Sequence, residues 1–329
     1  MNRRTFNSFA RASVAAATLL LTGAAAFAQA WPQRPITFVA PLAAGSPTDA
    51  LARMVGDELG RRLGQPIVVD NKAGGGSLIA TSLVQQAKPD GYTFLFAVSA
   101  HTINPAIRKS VKYDPIKDFT PIALMAAVPH VLVVGKDVPA NNIQQLIALA
   151  KASPGKLTYG SAGIGISNHM EGELLAAMAG INIVHVPYKS GSTAAMQDVL
   201  AGRVDMMFDV VGSSTPLIKA GRVKPIGVAL GRRSKLMPDI PTLDEAGLKG
   251  FQAMPWIGLF GPAGLDPAIV EKMAKAVQDT LADPKVSERL ANYGTEAMFI
   301  PPAQFVEFVR GDQQKWAKIA RDAKIQLDE

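Results

Sequence analysis

The sequence predicts an α/β fold in two lobes, with parallel-rich sheets flanked by helices and a cleft between the lobes. Three observations predict it. Short apolar strands alternate with helices of amphipathic spacing along most of the chain. A long apolar run at residues 122–134, IALMAAVPHVLVV, is broken by Pro129 and reads as a strand that leaves one lobe and enters the other. Of the 329 residues, about 299 remain once an export leader is set aside, enough for two lobes of about 150 each.

The elements follow in order. Ile36–Ala40 is a short apolar strand, and Leu51, Met54, Val55, Leu59 and Leu63 recur at helical spacing after it. Residues 66–70 (PIVVD) form the next strand, 78–86 a second helix and 92–98 a strand behind the Pro89-Asp90-Gly91 turn. After the crossing the alternation restarts. Helices are expected at 143–151, 168–178, 193–200 and 215–220, with strands at 157–159, 183–186 and 204–209. The strand at 224–229 is the return crossing, followed by a strand at 256–261 and helices at 267–281, 284–292 and 303–323. The organisation expected is therefore a leader at 1–30, a first lobe from 31–128 and 230–329, and a second lobe at 129–229. Such a fold places its site between lobes, at the carboxyl ends of the strands.

Residues 1–30 stand outside that grammar. Arg3, Arg4 and Arg11 precede an apolar run at 14–21, and Ala28-Gln29-Ala30 closes the segment as a cleavage site. This is the pattern of a secretory signal peptide, with the mature chain starting at Trp31 in the periplasm. The Arg3-Arg4 pair also resembles a twin-arginine signal, so Sec and twin-arginine export both stay open. Removing the leader takes away three of the 34 basic residues and none of the acidic ones, which lowers the formal charge from +7 to +4. Without a dense basic block, a nucleic-acid partner is not expected. The chain has no Cys, which excludes disulfides, thiolate metal ligands, a thiol nucleophile and a lipid-modified cysteine. No cofactor is expected.

Three strand-to-helix turns could carry chemistry. In Pro41-Leu-Ala-Ala-Gly-Ser-Pro-Thr-Asp49, Ser46 is a helix N-cap, Pro47 suits the first helical position and Asp49 closes a capping box. In YGSAGIGISNHME, at 159–171, Gly160, Gly163 and Gly165 allow close backbone approach, and Asn168 with Glu171 can cap the next helix. The third turn is PYKSGST, at 187–193. Helix N-termini attract anions, so one turn from each lobe could clamp a carboxylate. Taken singly, each turn reads first as a well-capped helix start; several such turns at one sheet edge favour binding.

Catalytic patterns are weak. Gly160-x-x-Gly163-x-Gly165 has the wrong order for a dinucleotide fingerprint, and no G-x-S-x-G, H-E-x-x-H or P-loop is present. His169 and Glu173 share a helix face, but a metal needs more ligands, so His169 reads as a helix-start residue. His101 and His130 read as wall or hinge residues and His185 as a core histidine. Asp209 ends a strand at the cleft, where it could accept a hydrogen bond from a ligand or cap the following turn. Trp256 and Phe260 read as lobe packing, and Lys189 as a solvated cation.

Seven segments in order carry a family resemblance: ITFVAPLAAGSPTDALAR (36–53), NKAGGGSLIA (71–80), KPDGYT (88–93), YGSAGIGISNHMEGELL (159–175), HVPYKSG (185–191), AGRVDMMFD (201–209) and GLFGPAGLDPAIVEKM (258–273). The chain resembles the solute receptors of tripartite tricarboxylate transporters, also called the Bug family. Ala44, Ser46 and Pro47 depart from the family's more glycine-rich first loop. The resemblance implies a type II periplasmic-binding-protein fold that closes on a small carboxylate, held by two loops and partly through water. It implies contact at Gly45, Ser46, Pro47, Thr48 and Ser99 in one lobe. In the other it implies Ser161, Gly163, Ile164, Gly165, Ser167 and Asp209. It also implies a monomer that delivers its ligand to a membrane transporter of one large and one small subunit. Presentation of the ligand to a sensor kinase is an alternative, and a periplasmic hydrolase is disfavoured because no nucleophile–base pair is readable.

Overall fold

The computed structural model describes residues 31–322 and 325, and the expected leader at 1–30 lies outside them. The first elements are β1 (Ile36–Ala40), α1 (Pro47–Leu63), β2 (Ile67–Asn71), α2 (Leu78–Gln85), β3 (Thr93–Val98), α3 (Ala100–Ile107) and β4 (Phe119–Ala127). Next come β5 (His130–Gly135), α4 (Ile143–Ala152), β6 (Thr158–Ser161), α5 (Ser167–Ala179), β7 (Val184–Pro187), α6 (Ser192–Leu200), β8 (Met206–Val210), α7 (Val211–Lys219) and β9 (Val223–Val228). The last described are β10 (Trp256–Pro262), α8 (Pro267–Leu281), α9 (Pro284–Asn292), β11 (Glu296–Ile300) and α10 (Pro302–Asp322).

These strands form two sheets, one of six in the order β11-β4-β10-β3-β1-β2 and one of five in the order β7-β6-β8-β5-β9. The fold is two-lobed α/β, as the alternation predicts, but the sheets are mixed rather than parallel-rich. β1 is parallel to β2 and β3, and β6 is parallel to β7 and β8. β10 runs antiparallel to β3 and β4, and β5 runs antiparallel to β8 and β9. The reason is topological. Successive βα units give parallel neighbours, whereas β10, which returns after the whole second sheet has formed, runs opposite to the exit strand β4.

The apolar run at 122–134 is also not one strand. Val128 and Pro129 separate β4 from β5, and each strand belongs to a different sheet. Pro129 has no N–H to continue a ladder. The break is instead fixed by Val128 N donating to Pro255 O (2.7 Å) and Val211 N donating to Pro129 O (2.9 Å). The return strand expected at 224–229 is β9, an edge strand of the five-stranded sheet, and the path back runs through irregular backbone to β10. Leu243, Leu248 and Phe251 on that path still pack with Leu132 and Phe208.

Two elements were not foreseen. α3 carries Pro105 in its interior, which hides its helical period. β11 is a five-residue edge strand, EAMFI, set between the two helices α9 and α10. Along β5, Val131, Leu132, Val133 and Val134 are all fully buried, because helices cover both faces of the sheet. Among the described residues, no helix is long and apolar enough to cross a membrane.

Candidate functional site

The first turn is organised by Asp49. Ser46 caps α1 by accepting from Asp49 N (3.2 Å), and the Asp49 carboxylate reaches back past Ser46 to accept from Gly45 N (2.8 Å). It also accepts from Asn71 Nδ2 (2.9 Å) and pairs with Arg53 (3.0 Å). Burial works against its charge, but the bonds from Gly45, Asn71 and Arg53 outweigh burial and hold the carboxyl below its usual range. Asn71 donates in addition to Leu42 O (3.1 Å), which ties the turn after β1 to the end of β2.

Pro47 is the first residue of α1, and Gly45 is exposed with φ +79°. Thr48, on the first helical turn, is half-buried, and its hydroxyl has no hydrogen-bond partner among the described residues.

The second turn joins β6 to α5. Ser161 is fully buried and engaged inside the turn: its Oγ accepts from Gly163 N (3.1 Å) and lies 2.6 Å from His185 Nε2. Gly163 and Gly165 have φ of +125° and +82°. Gly165 N donates to His169 Nδ1 (3.3 Å). Asn168 does not cap α5, as the sequence suggested; its Oδ1 accepts from Ala162 N (3.2 Å), across the turn. Glu171 does not complete a capping box either, but turns inward to His130 (2.7 Å). α5 therefore begins without a side-chain cap. Its first backbone bonds are His169 N and Met170 N to Ile166 O, so the N–H groups of Ser167 and Asn168 have no intrahelical acceptor. The Ser167 hydroxyl, like that of Thr48, has no partner among the described residues.

Beneath this turn His185 stacks on Tyr159 (4.8 Å) and packs at a tilt against His169 (4.2 Å). Burial, with smaller contributions from His185 and Arg108, lowers His169 to about 3. Burial lowers His185 to about 4. Both rings are therefore neutral near pH 7, so they support the turn by packing and hydrogen bonding rather than by charge. Among the described residues, no three His, Cys, Asp or Glu stand together as a metal site would need.

Two of the other expected site residues are occupied by the protein itself. Ser99 is buried, and its hydroxyl accepts from Trp256 N (2.7 Å). Asp209 is buried and accepts from the Ser213 and Ser214 hydroxyls (2.7 and 2.8 Å) at the start of α7, which is the turn-capping role. Burial raises its carboxyl despite those bonds. Ser99, Ser161 and Asp209 thus each have a partner within the protein, distant in sequence for Ser99 and Ser161 (Trp256 and His185) and local for Asp209. Trp256 and Phe260 pack in the core, Lys189 is exposed, and His101 is buried among Tyr113, Phe119 and Phe260.

The turns of the two lobes meet at a point the sequence did not mark. Gly76, after β2, lies against the carbonyl of Ile164, where a Cβ on Gly76 would stand 2.5 Å from the oxygen. Asn104 and Arg108, in and just after the unforeseen α3, stand at the same place. The first loop is linked to the end of β2, and the β2 loop abuts the β6–α5 turn, so the two helix starts belong to loops gathered at one seam. With their free N–H groups and hydroxyls, these loops can bind an anion without a formal cation in either turn.

The comparisons with known proteins concern the chain as a whole. The family model described as "Tripartite tricarboxylate transporter family receptor" matches residues 51–325. The solved structure of the periplasmic binding protein BugD is 36% identical, with a TM-score of 0.83, covering 91% of this chain and 100% of that one. R. palustris Rpa4515 with adipate is 33% identical, with a TM-score of 0.84 and coverage of 91% and 100%. MatC (Rpa3494) from Rhodopseudomonas palustris with bound malate is 32% identical, with a TM-score of 0.81 and coverage of 88% and 99%.

Proposed function

The chain belongs to the tripartite tricarboxylate transporter receptor family, and from that premise we propose that it captures a small dicarboxylate and delivers it to a membrane transporter of one large and one small subunit. The family is one of binding receptors, so the chain is a solute-binding protein and not an enzyme. The observation that carries the ligand class is that two neighbours at 32–33% identity hold adipate and malate, both dicarboxylates. The reading also has the protein act as a monomer in the periplasm, exported by the leader at 1–30.

In this reading one carboxylate sits between the starts of α1 and α5. Thr48 and Ser167 donate their hydroxyls, the backbone around Gly45, Ser46, Pro47, Gly163, Ile164 and Gly165 shapes the contact, and water completes it. Ser99, Ser161 and Asp209 act from behind, by holding the loops. The test is a thermal-shift screen of malate, succinate, adipate, citrate and glutamate against the mature protein. A ligand at 100 times its Kd stabilises the fold by about 2.7 kcal/mol. A screen in which none of these raises the melting temperature, while a neutral sugar does, overturns the proposal.

A further inference from the structure

We infer that Gly76, Asn104 and Arg108 form a latch that grips the Ile164 turn when the lobes close, and that this latch governs how slowly a bound ligand escapes. The inference rests on the receptor function proposed above. It assigns positioning roles to three residues that need not touch the ligand.

One half of the latch is prebuilt on the six-stranded side. Asn104 is fully buried on α3. Its Nδ2 donates to Gly76 O (2.6 Å), and its Oδ1 accepts from Arg108 Nε (3.3 Å). The other half is the turn between β6 and α5. Arg108 Nη2 reaches the carbonyl of Ile164 (3.4 Å). Both sides meet through glycine. A Cβ on Gly76 would be 2.5 Å from Ile164 O, and one on Gly165 would be 2.8 Å from Asn104 Oδ1. Both glycines also have positive φ, +63° and +82°, so any side chain there is strained before it clashes.

Position in the sheet says why this contact responds to opening. The chain crosses between lobes beside β4 and β5, and β10, β3 and β1 separate β4 from β2. At about 4.8 Å per strand, the loop after β2 lies roughly 15–20 Å from the crossing. A second glycine contact, Gly212 against Gly294, lies next to the crossing instead: Val210 pairs with His130, and Glu296 pairs with Ala127. Rotation about the crossing moves that near contact little and the Gly76–Ile164 contact most. Of these two contacts, the latch is the one that opening must break.

The test compares Gly76→Ala and Arg108→Gln with the wild type, using adipate and malate as probes in stopped-flow tryptophan fluorescence and small-angle scattering. Arg108→Gln should release the probe about 10-fold faster with an association rate changed by less than about threefold, since its bond to Ile164 O exists only in the closed form, whereas its bond to Asn104 is lost from both forms alike. Gly76→Ala should weaken binding further and abolish the ligand-induced fall in radius of gyration. Without ligand, Arg108→Gln should still unfold in one cooperative transition, with a melting temperature lowered by no more than a few degrees through the lost bond to Asn104, which separates the latch from a folding defect. Wild-type binding with unchanged release in both variants overturns the latch and leaves the receptor function standing. If the wild type binds neither probe, the dicarboxylate reading fails, and the latch is judged without ligand. The chain has no native Cys, so an Arg108→Cys/Ile164→Cys variant treated with a short bis-maleimide should give an intramolecular cross-link by intact mass; no cross-link overturns it.

Discussion

His130 Nδ1 lies 2.7 Å from Glu171 Oε2, with the Glu171 side chain fully buried, at the first residue of β5 where the chain enters the second lobe. Burial opposes the charge on His130, but Glu171 and Asp209 outweigh it and raise the imidazole above its ordinary value. Burial raises Glu171 as well, despite His130 and Lys315. Replacing Glu171 alone, as in Glu171→Leu, leaves His130 without its partner and should cost about 3–5 kcal/mol in urea unfolding. The double change His130→Phe/Glu171→Leu should recover most of that loss. Equal destabilisation in the single and double variants would show that packing, not the pair, is what matters there.

Acid sensitivity should come partly from His101. The ring lies 4.5 Å from Phe260 and 4.7 Å from Phe119, and burial lowers it to about 4, with the Pro115 carbonyl working the other way. The folded pKa is depressed, so the folded state binds fewer protons than the unfolded one. Its stabilising contribution is present above about pH 6.5 and is lost as pH falls toward about 4, by up to about 1.4 kcal/mol per pH unit. Melting temperatures from pH 7 to 4.5 should fall less steeply in His101→Phe than in the wild type. Parallel curves would sink this assignment.

Asp49 should behave as the brace of the first loop. Its carboxyl lies below the ordinary value, so its contribution is complete above about pH 4 and disappears as pH falls through the folded pKa. Asp49→Ala strips acceptors from Gly45 N, Asn71 and Arg53 together and should cost about 2–3 kcal/mol at pH 7. Hydrogen exchange should rise at 42–49. An unchanged exchange pattern in that loop would count against the brace.

The manner of holding the anion separates hydroxyl donors from a point charge. Thr48→Ala or Ser167→Ala each removes one charge-assisted hydrogen bond and should weaken adipate or malate binding by about 10- to 150-fold. Lys189 is exposed, so Lys189→Ala should change affinity by less than about fivefold. Calorimetry on the three variants decides it. Loss of binding in Lys189→Ala with normal binding in both hydroxyl variants would replace the two-turn site with a cationic one.

Local chemistry wrote much of this fold into the chain. The period of Leu51, Met54, Val55, Leu59 and Leu63 places α1, Ser46 caps it, and Pro129 marks the passage between lobes, because spacing, capping and a missing N–H act within a few residues. The same locality brought Thr48 and Ser167 to the starts of α1 and α5, with their hydroxyls unpartnered among the described residues. What tertiary structure alone decided is which polar groups are already taken. Ser99 meets Trp256, and Glu171 meets His130, across separations of 157 and 41 residues. Asp209 accepts from hydroxyls only four and five residues away, a pairing its spacing already allowed. Strand direction, too, awaited the chain's two passages between sheets. Arg108 reaches Ile164 only because a helix interrupted by proline still forms when packed, and that packing is a long-range energy no local window contains.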